Sequence, residues 1–330
     1  MVPGNSVEQK RLVKVESYFV AIIVLLLSYF VGQEFIYGDQ YHYRNVYNGI
    51  DGLGYIEGFK WYITAIFSVE VVHYSYIWLT HHFVEKDIAM SAANSVLAMA
   101  SYRVLRSWGA YSIIAFLLVV FGFYWQVFYY SAERLKFGFI FLFLALLYEE
   151  KKKSHYLLTF LSIASHVQML IIFGARFFQS SFRSASYFLK TLRVPKGVFI
   201  LFSIGVIFFL FFMEHIVKKV SGYAMFGGFE PSEIMKMIVF LIISLVYTKR
   251  RWSVFLLFIP LILAAYVVGG MRVNIFGYFL ALYCSLSYRR GVNLGAGVLV
   301  AYSVFGGVSY IYNVFLYGSN TLENTLKYTQ

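Results

Sequence analysis

Apolar runs of about 15 to 25 residues recur from one end of this sequence to the other, with short clusters of Lys and Arg between them. A helix of roughly 20 residues is what it takes to cross the hydrocarbon of a bilayer. Inside hydrocarbon every backbone N–H and C=O must be satisfied within the chain, so such runs fold as helices. The pattern predicts an all-α, polytopic membrane protein with about 10–11 transmembrane helices plus re-entrant segments. No repeat of fixed period or low-complexity stretch divides the chain, so residues 1–330 read as one membrane domain. Composition excludes the soluble alternative, because 60% of residues are hydrophobic and only 13% are charged. The net charge of +12 does not point to nucleic acid, because the basic residues fall in short clusters between apolar runs, the pattern of cytoplasmic loops. The single Cys284 lies in an apolar run and supports no disulfide framework. There is no CxxC, HExxH, P-loop or GxGxxG, so metal and nucleotide cofactors have no sequence support.

The charge clusters set an expected topology. Lys10, Arg11 and Lys14 hold the tail 1–16 in the cytoplasm, and 17–37 is a retained first helix rather than a cleaved signal. Residues 38–58 form an external loop. The run 59–83 is interrupted by Glu70, His73, His81 and His82. It reads as re-entrant or interfacial, because such residues are tolerated where a segment lines a cavity or surface. With that parity, Glu133 and Arg134 come out external and Lys151 to Lys153 internal. A break near Ser165-His166 is expected in 155–178, since it keeps Arg183, Lys190, Arg193 and Lys196 inside. The loop 214–233, with Tyr223, is external. Lys249 to Arg251 and Arg289-Arg290 are cytoplasmic. The Gly269-Gly270 turn brings Arg272 to the outside.

Polar residues in such a chain are functional-site candidates by default, because an ionisable group in hydrocarbon is costly. Four places carry them on the same expected face: Asp39, Glu133-Arg134, His166 and Arg272. Each has a bland reading as well: a loop acid for Asp39, a snorkelling or interfacial Arg for Arg134 and Arg272, a satisfied buried imidazole for His166. Two guanidinium forks suit a diphosphate, since each stays charged and binds phosphate oxygens in pairs. A His or Asp nearby could take the proton of a hydroxyl nucleophile. His166 is the preferred base, because imidazole titrates near operating pH and a carboxylate must be raised by burial. Asp39 orients the acceptor or serves as the alternative base.

The ordered set of motifs resembles the EpsG/Wzy-type polymerases of bacterial surface polysaccharides. The matching pieces are Tyr37-Gly38-Asp39-Gln40-Tyr41, Tyr55-Ile56-Glu57-Gly58-Phe59, Glu133-Arg134, Ser165-His166, Lys219-Val220-Ser221-Gly222-Tyr223 and Met271-Arg272-Val273. Here Gly38-Asp39 shortens the family's Gly-x-Asp, Leu135 follows Arg134 where Gln is usual, and Val167 follows His166 where Ser or Thr is common. The resemblance implies a GT-C-like fold and a metal-independent glycosyltransferase of the bacterial inner membrane, multi-pass, with its active site facing the periplasm. It would polymerise undecaprenyl-diphosphate-linked oligosaccharide repeat units, O-antigen or a related polysaccharide, with donor and acceptor both lipid-linked and no cofactor. His166 and Asp39 are then expected as catalytic residues, and Arg134, Arg272, Glu133 and Tyr223 as substrate-binding. Partners would be membrane lipid, a flippase and a chain-length regulator.

Two other readings stay open: a ligase-type transferase with a lipid A core acceptor, and a lipid-linked oligosaccharide flippase or transporter. The short 214–233 loop leaves little room for the first, and the lack of an internal repeat speaks against the second. The topology is checked by cysteine labelling. A Cys at position 152 should react with a membrane-impermeant maleimide only after the membrane is opened, and labelling of intact cells from outside would overturn the assignment.

Overall fold

A computed structural model describes residues 7–148, 152–191 and 231–329. All its described elements are helical. Three helices are long and apolar enough to cross a membrane: α1 (Val7–Glu34), α5 (Lys86–Ser107) and α14 (Leu294–Tyr317). A fourth crossing exists if α6 (Ser112–Phe121) and α7 (Phe123–Gln126), the latter continuing into a π-helical turn (Val127–Ser131), make one span bent by 43°. The other apolar runs form shorter helices, so single straight helices among the described residues do not by themselves reach the expected number of crossings.

The first of two compact units takes in 1–169 and 289–330. Its frame is α1 packed along α5, with α6, α7 and α14 beside them and α8 (Glu133–Leu146) against α5 and α9 (Lys153–Ser165). Over residues 18–31 of α1 the exposed side chains are hydrophobic, Phe19, Ile22, Leu26 and Phe30 among them, as a lipid-facing surface requires, while Val20, Val24, Ser28 and Val31 are buried. At one end Glu16 accepts from Tyr102 (2.8 Å) and Ser112 (2.9 Å) and lies 3.5 Å from Arg106. At the other end the carbonyls of Gly32 and Phe35 accept from Arg44 Nη2 at 2.6 and 3.4 Å, which satisfies oxygens the helix end leaves without partners.

Arg44 belongs to α2 (Asp39–Gly49), inside the segment 38–58 whose polar and glycine content reads as a loop. Four residues explain the helix. Gln40, Tyr43, Val46 and Tyr47 recur at intervals of three and four and are all buried, which is the stripe of an amphipathic helix lying on a core. The run 59–83 is likewise not one helix. It falls into α3 (Tyr55–Ile66) and α4 (Val71–Thr80), and neither 12 nor 10 residues at about 1.5 Å each can span a bilayer. Phe67 closes α3 in the left-handed conformation (φ 50°), and Ser68 and Glu70 are buried in the gap. The break expected at Ser165-His166 is present, with His166 in extended backbone at the end of α9 and α10 (Met169–Thr191) beginning after it.

The second unit covers 170–288. Its described part is most of α10, α11 (Pro231–Val246), α12 (Arg251–Val268) and α13 (Gly270–Ser287). α13 lies close on α11 because Gly270 and Gly277 leave room for the Glu233 and Met237 side chains. Asn274 donates to both the Glu233 carbonyl (3.1 Å) and its carboxylate (2.5 Å). Gly269, at φ 92°, supplies the turn between α12 and α13. Pro260 sits inside α12 without ending it.

In the first unit the tightest approach is α14 on the bend at Gly122. A Cβ on Gly307 would collide with the Phe121 carbonyl, and Ser303 Oγ accepts at 3.1 Å from the Phe123 N–H that the bend exposes. Gly307→Ala should therefore lower the thermal midpoint of the purified protein, with overpacking costing about 1–3 kcal/mol. Gly297→Ala, on the same helix with open space at its Cβ, should be neutral or slightly stabilising. Equal midpoints for the two variants would refute the close approach.

Candidate functional site

The first turn of α8 puts Glu133 and Arg134 where α6, α7 and the π turn end. Ala132 leaves helical geometry (φ −111°, ψ 53°), so α8 starts afresh inside the protein. Such a restart strands backbone carbonyls, and polar side chains meet them. Asn94 Nδ2 donates to Tyr129 O at 3.2 Å, Lys136 Nζ to the same oxygen at 3.4 Å, and Gln40 Nε2 to Tyr130 O.

Around this restart lies a buried network of charges. Glu133 is 1% exposed and accepts from Lys86 Nζ and Gln40 Nε2, both at 2.7 Å. Lys86 also donates to Gln40 Oε1 at 2.6 Å. A carboxylate in the first turn of a helix is further favoured by the helix dipole. On the other side, Arg134 Nη1 lies 3.3 Å from Glu70 Oε2 and its Nε 3.3 Å from the Tyr43 hydroxyl. Glu70 accepts from Ser68 and lies 3.6 Å from His166 Nε2. Lys136, fully buried, donates to Asn94 Oδ1 at 2.5 Å. Lys86 and Arg134 thus meet two carboxylates, Glu133 and Glu70, and the Lys136 amine lies buried beside them.

His73 links the two halves. Its Nδ1 is 2.9 Å from the Tyr62 hydroxyl and its Nε2 is 3.8 Å from Glu133 Oε2. Tyr62 donating to Nδ1 leaves Nε2–H facing the carboxylate, at a distance too long for a hydrogen bond. Burial holds the His73 pKa below its ordinary value, against the pull of Glu133, so this contact is polar rather than an ion pair. Burial also pushes the Tyr43 hydroxyl up to about 12, with Arg134 opposing, so it stays protonated beside the guanidinium.

Of the residues singled out in the sequence, Glu133, Arg134 and His166 come together, with Glu70 as the group that Arg134 and His166 share. His166 is 4% exposed, and its Nδ1 accepts the Gln168 N–H at 3.1 Å. Asp39 is exposed at the start of α2, one residue before Gln40, which is the side chain that enters the network. Arg272 lies half-buried in the first turn of α13, in the second unit. Tyr223 lies outside the described residues. Among the described residues no group of three or more His, Cys, Asp or Glu is arranged to hold a metal ion.

Sequence reasoning missed Gln40, Tyr43, Lys86, Asn94 and Lys136, and gave Glu70 and His73 only a topological role. Signals existed for three of them. Lys136 is an ionisable residue inside an apolar run, which is itself a functional hint. Glu70 and His73 interrupt another. Lys86 stands in Glu85-Lys86-Asp87, which looks like a solvated loop until α5 is seen to start there. Comparison with protein-family models, curated proteins and solved structures finds no match for this chain.

The Glu133–Lys86 pair is buried on both sides, so removing one partner strands a charge and should cost about 3–5 kcal/mol, while removing both should cost much less. Lys86→Met and Glu133→Gln should each lower the thermal midpoint more than a simple sum with the double variant allows. Strictly additive losses in this cycle would show that the two groups are not coupled.

Proposed function

We propose that this chain is a membrane glycosyltransferase of the EpsG/Wzy type, polymerising oligosaccharide repeat units carried on undecaprenyl diphosphate at the periplasmic face of a bacterial inner membrane. One observation supports the reading above the others: Arg134 and His166, far apart in sequence, converge on the carboxylate of Glu70. A cation for a leaving diphosphate and a base for an attacking hydroxyl are the two groups this transfer needs.

The proposed roles draw on these contacts. Among the described residues Arg134 makes two hydrogen bonds, both at 3.3 Å, to Glu70 and Tyr43. A guanidinium has five N–H donors in a fork, so donors remain for phosphate oxygens. The acceptor oxygen forms a bond to the anomeric carbon of the donor as the bond from that carbon to the diphosphate oxygen breaks. Arg134 stabilises the charge that develops on the diphosphate. The acceptor proton goes to His166 Nδ1 once its contact with the Gln168 N–H opens. Nε2–H, turned towards Glu70 Oε1 at 3.6 Å, lets that carboxylate hold the resulting imidazolium. Asp39 is the alternative base. Glu133 acts by fixing the first turn of α8, and so the direction of Arg134. The segment 59–83 is re-entrant in this reading, since two short helices flank the buried Glu70.

The test is polymer laddering with purified enzyme and lipid-linked repeat units. Arg134→Ala should slow polymerisation by roughly 30- to 1000-fold, the loss of about 2–4 kcal/mol of transition-state stabilisation. Arg134→Lys should recover only part of it, because the paired fork is lost. His166→Ala should fall comparably, and Glu70→Gln less. Near-wild-type ladders from both Arg134→Ala and His166→Ala would sink the assignment. Glycan that crosses a reconstituted bilayer without polymerising would favour transport.

A further inference from the structure

The second unit contains an open cavity of about 520 Å³ lined by Phe182, Lys249, Arg250, Arg251, Trp252, Ser253 and Leu256. No carboxylate is among its described lining residues. The three consecutive cations are exposed, and they occupy the short connection between α11 and α12, so chain geometry forces them to one end of the helix pair. Arg250 N–H is tied back to Thr248 Oγ1 at 3.2 Å, which fixes the turn that presents them.

The walls are aromatic. Trp252 is 62% exposed, stacks on Phe255 with ring centroids 5.5 Å apart, and meets Phe182 edge-on at 6.1 Å. Gln179 Nε2 donates to both the carbonyl (2.6 Å) and the hydroxyl (2.7 Å) of Ser253, which fastens α10 to the first turn of α12 and holds the walls in place. Beyond the cavity the exposed side chains of α12 are apolar for its whole length: Phe255, Leu263, Tyr266 and Val267.

We propose that this cavity binds the phosphate headgroup of an anionic phospholipid, with the acyl chains lying along the exposed apolar face of α12. Two features select a lipid over a soluble phosphate. The cations sit where an amphiphile's charge would be, and an exposed apolar face that acyl chains can lie along continues from them. Clusters of Lys and Arg at a membrane surface attract anionic lipid by charge, and Arg adds a paired contact to phosphate oxygens that Lys lacks. Trp252, amphipathic and half out of the protein, is suited to the headgroup level. The site is independent of the network around Glu133 and of the catalytic reading given above.

Native mass spectrometry of the purified full-length protein, titrated in detergent with phosphatidylglycerol or phosphatidylcholine, tests the proposal. Wild type should retain phosphatidylglycerol and not phosphatidylcholine. Replacing all three cations (Lys249→Gln, Arg250→Gln and Arg251→Gln) should weaken retention on the order of 100-fold, from about fivefold for each charge lost at a membrane surface. Those cations also bear on membrane orientation, so two further variants keep the charge. Arg250→Lys with Arg251→Lys should lose part of the affinity, and Trp252→Ala should lose about as much by removing the wall. Equal retention of the two lipids, or unchanged retention when the three cations are replaced, would overturn the proposal. Displacement of the lipid by millimolar inorganic phosphate would assign the cavity to a soluble anion instead.

Discussion

The carboxylate of Glu133 is the point on which the first unit depends. Buried almost completely, it would be intolerable alone, because a bare charge out of water costs several kcal/mol even after relaxation. Lys86 from α5 and Gln40 from α2 supply direct contacts, and His73 from α4 faces it. Each partner comes from a different helix, so satisfying one charge fixes the positions of four elements. Hydrophobic burial cannot do this in a membrane, where lipid tails are as apolar as the side chains they would replace. Polar contacts inside the protein are what give such a chain a preferred arrangement.

The same side chains solve a second problem. The first unit contains three breaks in apolar helices, at 67–70, at 122–132 and at 166–168. Each break frees backbone groups that a membrane cannot hydrate. Gln40, Asn94 and Lys136 close the carbonyls of the central break, and Ser303 takes the amide at its start. The breaks and the buried charges therefore require one another. A π turn followed by a restarted helix aims Glu133 and Arg134 inward, and the charges so gathered supply the donors that make the irregular backbone tolerable.

This mutual dependence explains what the sequence does and does not reveal. The helical class is legible because apolar runs of membrane length leave no alternative, and three helices meet the length and apolarity a crossing needs. The break at Ser165-His166 is legible because an unbroken crossing would carry the basic residues that follow it to the side the charge rule disfavours. The site is legible where an ionisable residue contradicts its surroundings, as at Glu133, Arg134 and His166. It is hidden where the surroundings are themselves polar. Lys86 looks solvated among Glu85 and Asp87, and its burial arises only because α8 brings Glu133 to it. The helix α2 is hidden for the same reason, since glycines and charges surround four well-spaced inward residues. Asp39 attracts notice as a charge, yet its uncharged neighbour Gln40 makes the contact, because a helix turns adjacent residues about 100° apart.

Glu70 gives the arrangement a further property. It stands between Arg134 and His166, with Oε2 towards the guanidinium and Oε1 towards the imidazole. An anion that draws Arg134 towards itself weakens the Arg134–Glu70 pair, and the carboxylate then interacts more strongly with whatever positive charge remains near it. The imidazole of His166 is the group placed to use that change, because a proton on its ring is stabilised by an unshielded carboxylate. In the proposed transfer, anion binding at Arg134 and protonation of His166 would be coupled through one carboxylate, and by linkage such coupling runs equally in both directions. A transferase profits from that order, since the hydroxyl is deprotonated only once a leaving group is held. In the proposed transfer, the carboxylate that partners Arg134 is also the group that readies the base.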